Sequence, residues 1–233
     1  MEGSANSKNV SNYEMLAQYY DELLQDEEAL SLWLKYIEKE DFKTVLELAS
    51  GSGVMASILK DKGYDVTASD ISNEMKEASK KNFDGEYLIL NMIDYDLHKK
   101  YDLILCICDS INYLYEDELD SFFRCAYKHL NENGRLIFDM HNLKRLEEFR
   151  EQYIEEGYVD SVPYQWTIMS DEYENTINEH FTFYTDEGMI QEHHSQNVFD
   201  PEMIQEKMKD LFKTEIIEDF VEDEKLLIVG YKK

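Results

Sequence analysis

Apolar residues recur at near-helical spacing at Tyr13, Leu16, Ala17 and Tyr20, then at Leu30, Trp33, Leu34 and Ile37. This predicts two helices within 12–40. Short apolar strands and amphipathic helices then alternate. Residues 44–48 read as a strand, 54–62 as a helix ended by Gly63, and 65–69 as a second strand. Ser72 is placed to N-cap the next helix. Residues 87–90 form a third strand, and the run YDLILCIC over 101–108 reads as a buried parallel strand. A helix over 116–130 and an Asn133-Gly134 turn lead into the strand RLIFD. This rhythm predicts an α/β fold: a Rossmann-like, mostly parallel, seven-stranded sheet with helices on both faces.

The pattern changes after Asp139. Residues 164–170, 176–184 and 189–199 are rich in β-formers and are separated by the turn-like stretches DEYEN and TDEG. They predict a three-stranded antiparallel meander inserted at 160–199 within a single domain over 11–233. Asp200-Pro201 starts a helix over 201–211. Strands over 214–218 and 225–231 close the sheet, the last one antiparallel. Acidic stretches such as 147–160 read as solvated surface.

Charge narrows the partners. Asp and Glu number 51 against 23 Lys and Arg, for a net charge of −28 at pH 7. Such a surface repels phosphate backbones and anionic lipid. No apolar run reaches the about 18 residues of a membrane span. Residues 1–10 read as a disordered leader rather than a signal peptide. Cys106, Cys108 and Cys125 cannot all pair, which points to the reducing cytoplasm. The Cys106-x-Cys108 pair reads as core, and no metal-ligand spacing is present.

The first strand ends in Glu47 and enters a turn of small residues, Ala49, Ser50, Gly51, Ser52 and Gly53, before a helix. Small residues let a ligand approach the backbone and the helix N-terminus. Gly51 to Ala56 also fits the dinucleotide fingerprint G-x-G-x-x-[GA], with Asp70 placed for a ribose hydroxyl. Glu47 separates the readings. A carboxylate beside the turn repels a pyrophosphate, whereas it suits a ligand carrying an ammonium and a sulfonium.

ELASGSG resembles the E/D-L-x-x-G-x-G motif of class I S-adenosylmethionine (SAM)-dependent methyltransferases, and ASDISNEM resembles their D-x-S-x-x-M motif. NYEMLAQYYDELL, CDSINYL and EHHSQNVFDPEMI are similar to a small bacterial subgroup related to amino-sugar N-methyltransferases and glycine/sarcosine-type enzymes. The resemblance implies that SAM is the cofactor. Glu47, Ala49 and Gly51 would line its methionine end within the turn closed by Gly53. Asp70 would hold the ribose, Ile71 would pack on adenine, and Tyr20 would close over the site. Asn91-Met92 stands where the family has an acidic residue followed by an apolar one. An amide oxygen can still accept from the adenine amine, with Asp94 as the fallback.

Asp109-Ser110-Ile111-Asn112-Tyr113 follows the fourth strand at the edge where parallel sheets bind ligands. Asp109 is expected to border the cofactor and to orient and attract an ammonium substrate. His194 is a candidate base or else a surface histidine on an edge strand, and Tyr13 is a third candidate. His193 and His194 should face opposite ways. The expected activity is methyl transfer to a small-molecule acceptor, an amine nitrogen in the first instance, by a monomer or homodimer. A non-catalytic SAM-binding regulator and an NAD-dependent oxidoreductase stand as alternatives.

Overall fold

The computed structural model describes residues 13–218, 220 and 225–233, so the expected leader lies outside the described residues. Parallel strands β1 (Thr44–Glu47), β2 (Asp65–Asp70), β3 (Glu86–Ile89), β4 (Tyr101–Cys106) and β5 (Leu130–His141) form most of the main sheet. Helices α3 (Val54–Asp61), α4 (Asn73–Ser79) and α5 (Glu116–His129) connect them. Ser72 caps α4 through a bond from the Met75 N–H, as its position predicts.

The second sheet has four strands, β6 (Tyr153–Val159), β7 (Val162–Asp171), β8 (Thr176–Thr185) and β9 (Gly188–Asn197), paired antiparallel in chain order. Helix α7 (Pro201–Met208) stops three residues short of the expected end. Strands β10 (Phe212–Glu218) and β11 (Lys225–Lys232) complete the main sheet, whose order is β10-β11-β5-β4-β1-β2-β3. Only β11 runs against its neighbours.

Successive β-strand residues face opposite sides, so both faces of this sheet need cover. Leu46, Ile104 and Phe138 pack on one side with Phe122 and Phe123 of α5. Val45, Leu103 and Ile137 pack on the other with Met55 and Leu59 of α3 and with Trp33 and Ile37 of α2 (Glu27–Ile37).

The expected meander gains β6, from a stretch that reads as solvated acidic surface. β6 pairs with β7 along its whole length, yet Val159 is its only buried residue. A strand with both faces wet carries no hydrophobic alternation, so no period marks it. Its hairpin turn, Asp160-Ser161, holds φ of 45° and 70° without the glycine that usually signals such a turn. The short helix α6 (Lys144–Glu148) is likewise unmarked.

The inner face of the second sheet packs on α1 (Leu16–Leu24) and α6. Phe181 and Phe183 meet Leu16, while Ile168 and Ile177 meet Leu146 and Phe149. Asn112 and Asn197 lock the two sheets: each donates its amide across, to Asn197 O at 2.6 Å and to Leu114 O at 2.9 Å.

Candidate active site

The site forms at the carboxyl ends of β1, β2 and β4. After Glu47 the chain turns through Ala49 (φ 50°) and Gly51 (φ 53°). A Cβ on Gly51 would stand 3.6 Å from the Tyr20 ring, so α1 lays an aromatic lid on the turn. Gly53, at φ 76°, does not border the cavity. A Cβ there would come within 3.1 Å of Phe83 and 3.3 Å of Ser79, so glycine is required for close packing at the start of α3.

Asp70 ends β2 and is buried. One oxygen accepts the Gly51 N–H at 3.1 Å and the other the Ser72 N–H at 2.9 Å. Burial raises its carboxyl, and these backbone bonds oppose the rise. Each oxygen keeps a further lone pair for a ligand hydroxyl. Tyr20, Ala49, Gly51, Asp70, Ile71, Asn91 and Met92 line one cavity of about 930 Å³ including its open mouth. The Asn91 side-chain oxygen accepts the Ile93 N–H at 3.2 Å, while the fallback Asp94 is exposed and does not line the cavity.

Glu47 is 2% exposed, and its Oε2 has no hydrogen-bond partner. Burial pushes its carboxyl up to about 8; bonds from Ser50 and Ala56 oppose this and the charge of Asp70 adds to it. A buried carboxylate with an unused oxygen is a receptor for a cation.

Asp109 departs from its expected part. It is buried at φ 57°, with Lys225 Nζ 2.8 Å from one oxygen and His141 Nδ1 3.4 Å from the other. Burial alone would raise its carboxyl, but His141, Lys225 and Arg145 outweigh that and hold it at about 2. Lys225 thus already neutralises the Asp109 carboxylate. The pairing was illegible because Lys225 comes from β11. Asp139 accepts the Asp109 N–H at 3.3 Å, and burial together with the Asp109 charge pushes Asp139 up to about 7.

His194 is not a surface residue. It is 1% exposed on the inner face of β9, while His193 faces outward and stacks on His180. The rings of Tyr13, Phe181 and Tyr113 surround it at centroid distances of 4.6, 5.9 and 6.4 Å, and neither ring nitrogen is hydrogen bonded. Tyr13 and Tyr113 join their hydroxyls at 3.1 Å. Cys108 also departs from expectation. Cys106 is core, but Cys108 lies beyond the end of β4 at φ 60°, exposed to the cavity. Desolvation and the Asp139 charge hold its thiol well above the usual range.

Glu179 on β8 escapes the motif reading. It lines the cavity with His194 and also borders the adjoining chamber, where Asp109, Arg145, Trp166, Gln196 and Lys225 lie. The visible signal is a lone charge in the inward row Ile177, Glu179, Phe181, Phe183. Among the described residues no cluster of three or more metal-ligating side chains occurs, and no helix is long and apolar enough to cross a membrane.

Strand order, a single antiparallel strand, a glycine turn after β1 and an acidic residue ending β2 together define a class I methyltransferase fold. Residues 17–197 match the family described as Methyltransferase domain, and the chain belongs to that family. A Geobacillus sp. (strain WCH70) protein provisionally named a methyltransferase is 26% identical over 78% of this chain and 79% of its own. The glycine/sarcosine N-methyltransferase of Parasynechococcus marenigrum (strain WH8102) is 27% identical over 49% of this chain and 43% of its own. The fold is shared with the sugar N-methyltransferase KedS8 from Streptoalloteichus sp. ATCC 53650, at TM-score 0.82 and 18% identity over 100% of this chain and 98% of that one. It is also shared with an S-adenosylmethionine-dependent methyltransferase from Clostridium acetobutylicum ATCC 824, at TM-score 0.78 and 20% identity over 94% and 98%.

Proposed function

We propose that this methyltransferase takes its methyl group from SAM and passes it to an amine nitrogen of a small molecule. The observation that carries the reading is one cavity bordered both by the glycine turn with Asp70 and Ile71 and by His194 and Glu179. The unpartnered oxygen of Glu47 fits a cationic cofactor and opposes a dinucleotide phosphate. In this reading Glu47, Ala49 and Gly51 hold the amino-acid end, Asp70 the ribose, and Ile71, Asn91 and Met92 the base. Tyr20 covers them. When bound, SAM supplies a methyl group on a sulfonium, and the bonding pair returns to sulfur as the methyl leaves. The chain's own task is to align the amine with that methyl and to exclude water, which lowers the barrier chiefly through orientation. Asp109, held by Lys225, shapes the acceptor side; His194 and Tyr13 stand at the acceptor.

The names of the glycine/sarcosine and sugar N-methyltransferases support an amine acceptor. The net charge of −28 argues against a nucleic acid. Three free cysteines fit the cytoplasm. We read the four-stranded sheet as an acceptor cover within a single domain. The test is incubation with methyl-labelled SAM and a fractionated bacterial extract. Label in small amines is the expected result; label confined to protein or RNA, or no transfer, would refute the reading.

A further inference from the structure

Four carboxylates approach the two chambers from the strand ends and the cover sheet, and two are already engaged within the chain. Asp70 receives two backbone N–H groups, Asp109 is paired with Lys225, and Glu47 lies beneath the glycine turn. Glu179 is the fourth, and it alone of these borders both chambers. It projects from an otherwise apolar row, between Ile177 and Phe181, which are each 1% exposed. Its partner in register on β9 is His194. No ion pair among the described residues engages its carboxylate, and the Trp166 ring nitrogen, which borders the same chamber, has no hydrogen-bond partner. An ionisable group on the apolar face of a strand is favoured when something of opposite charge meets it there.

We infer that Glu179 is the anion that receives the acceptor's ammonium and takes its proton, which fixes the acceptor as a cationic amine. The inference rests on the methyl-transfer reading above. A protonated amine has no free lone pair. The carboxylate accepts one N–H proton and becomes a carboxylic acid, and the pair that held the proton stays on nitrogen, free to attack. The surroundings suit both halves of the step. Tyr113, Tyr13 and Phe181 line the same cavity, and aromatic rings are good company for a cation. Burial raises the Glu179 carboxyl toward the range where it can hold a proton, against the opposing charges of His194 and Arg145. His194 lies beside it in register, with neither ring nitrogen hydrogen bonded.

The test needs no knowledge of the acceptor. Sinefungin carries an amine where SAM carries its transferable methyl, whereas S-adenosylhomocysteine (SAH) carries nothing there. Calorimetry on the full chain should show sinefungin binding more tightly than SAH. In Glu179→Gln that advantage should shrink about tenfold or more, the scale of one charge-assisted hydrogen bond. SAH affinity should stay within about twofold, which also reports that the variant is folded. Glu179→Asp keeps the charge at shorter reach and should retain part of the advantage. An unchanged advantage in Glu179→Gln, or its full loss in a folded Glu179→Asp, would overturn the assignment while leaving the cofactor reading intact. A wild-type chain that bound neither ligand would overturn both.

Discussion

Glu192 on β9 accepts the Leu16 N–H at 3.1 Å and the Met15 N–H as well, so the cover sheet supplies the N-terminal cap of α1. The residue at the helix's own cap position, Met15, has no side-chain oxygen to offer. A carboxylate is also favoured there by the helix dipole. Glu192→Ala should therefore cost about 0.5–2 kcal/mol, the usual value of a lost cap. Chemical denaturation would measure it, and an unchanged midpoint would show that the cap does not hold α1.

Asp70→Ala should weaken SAH binding by about 1–3 kcal/mol, read by calorimetry. It also strands the Gly51 and Ser72 N–H groups, so a loss of about 1 kcal/mol in stability should accompany it. Full affinity in the variant would remove Asp70 from the ribose.

The Glu47 carboxyl gives a pH signature. Its folded value, about 8, lies above its ordinary 4.5, so the folded chain holds a proton that the unfolded chain releases. Its contribution to stability is then complete below about pH 4.5 and is lost as pH rises toward 8, with a slope approaching about 1.4 kcal/mol per pH unit. Glu47→Gln should become more stable relative to wild type as pH rises through that window. An ammonium ligand favours the carboxylate, so SAH binding near pH 7 should release a proton in wild type and none in Glu47→Gln. Calorimetry in buffers of different ionisation enthalpy would count it; equal proton release in both proteins would exclude Glu47 as the cationic contact.

His194 sits in an aromatic cage, so its packing and its chemistry need separate variants. His194→Ala and His194→Phe should both lower the maximal rate of labelled methyl transfer by about 10²–10⁴. SAH affinity should be unchanged in the phenylalanine variant, which refills the cage. A phenylalanine variant with normal turnover would reduce His194 to packing.

The parallel half of the fold was legible because burial imposes a pattern. The run ending at Cys106 is continuous and apolar, and Asp70 with Ser72 sits in a motif whose spacing the structure reproduces. β6 was hidden because it is wet on both faces. Site partners from distant segments were hidden for a different reason. Asp109 meets Lys225 only because β11 inserts beside β5, a pairing no local window contains. Glu179 was visible as an anomaly in its row, yet motif order gave it no task. Its meaning needed the two chambers that it joins.

The Tyr20 ring over Gly51 has a kinetic consequence. The ring stands over whatever binds the turn, and it rides on a nine-residue helix. Glu192 holds the first amides of that helix, so residence time at the turn is expected to follow the strength of this grip. Weakening that grip should hasten SAH escape in stopped-flow far more than it shifts the equilibrium, making α1 a turnstile that the cover sheet latches.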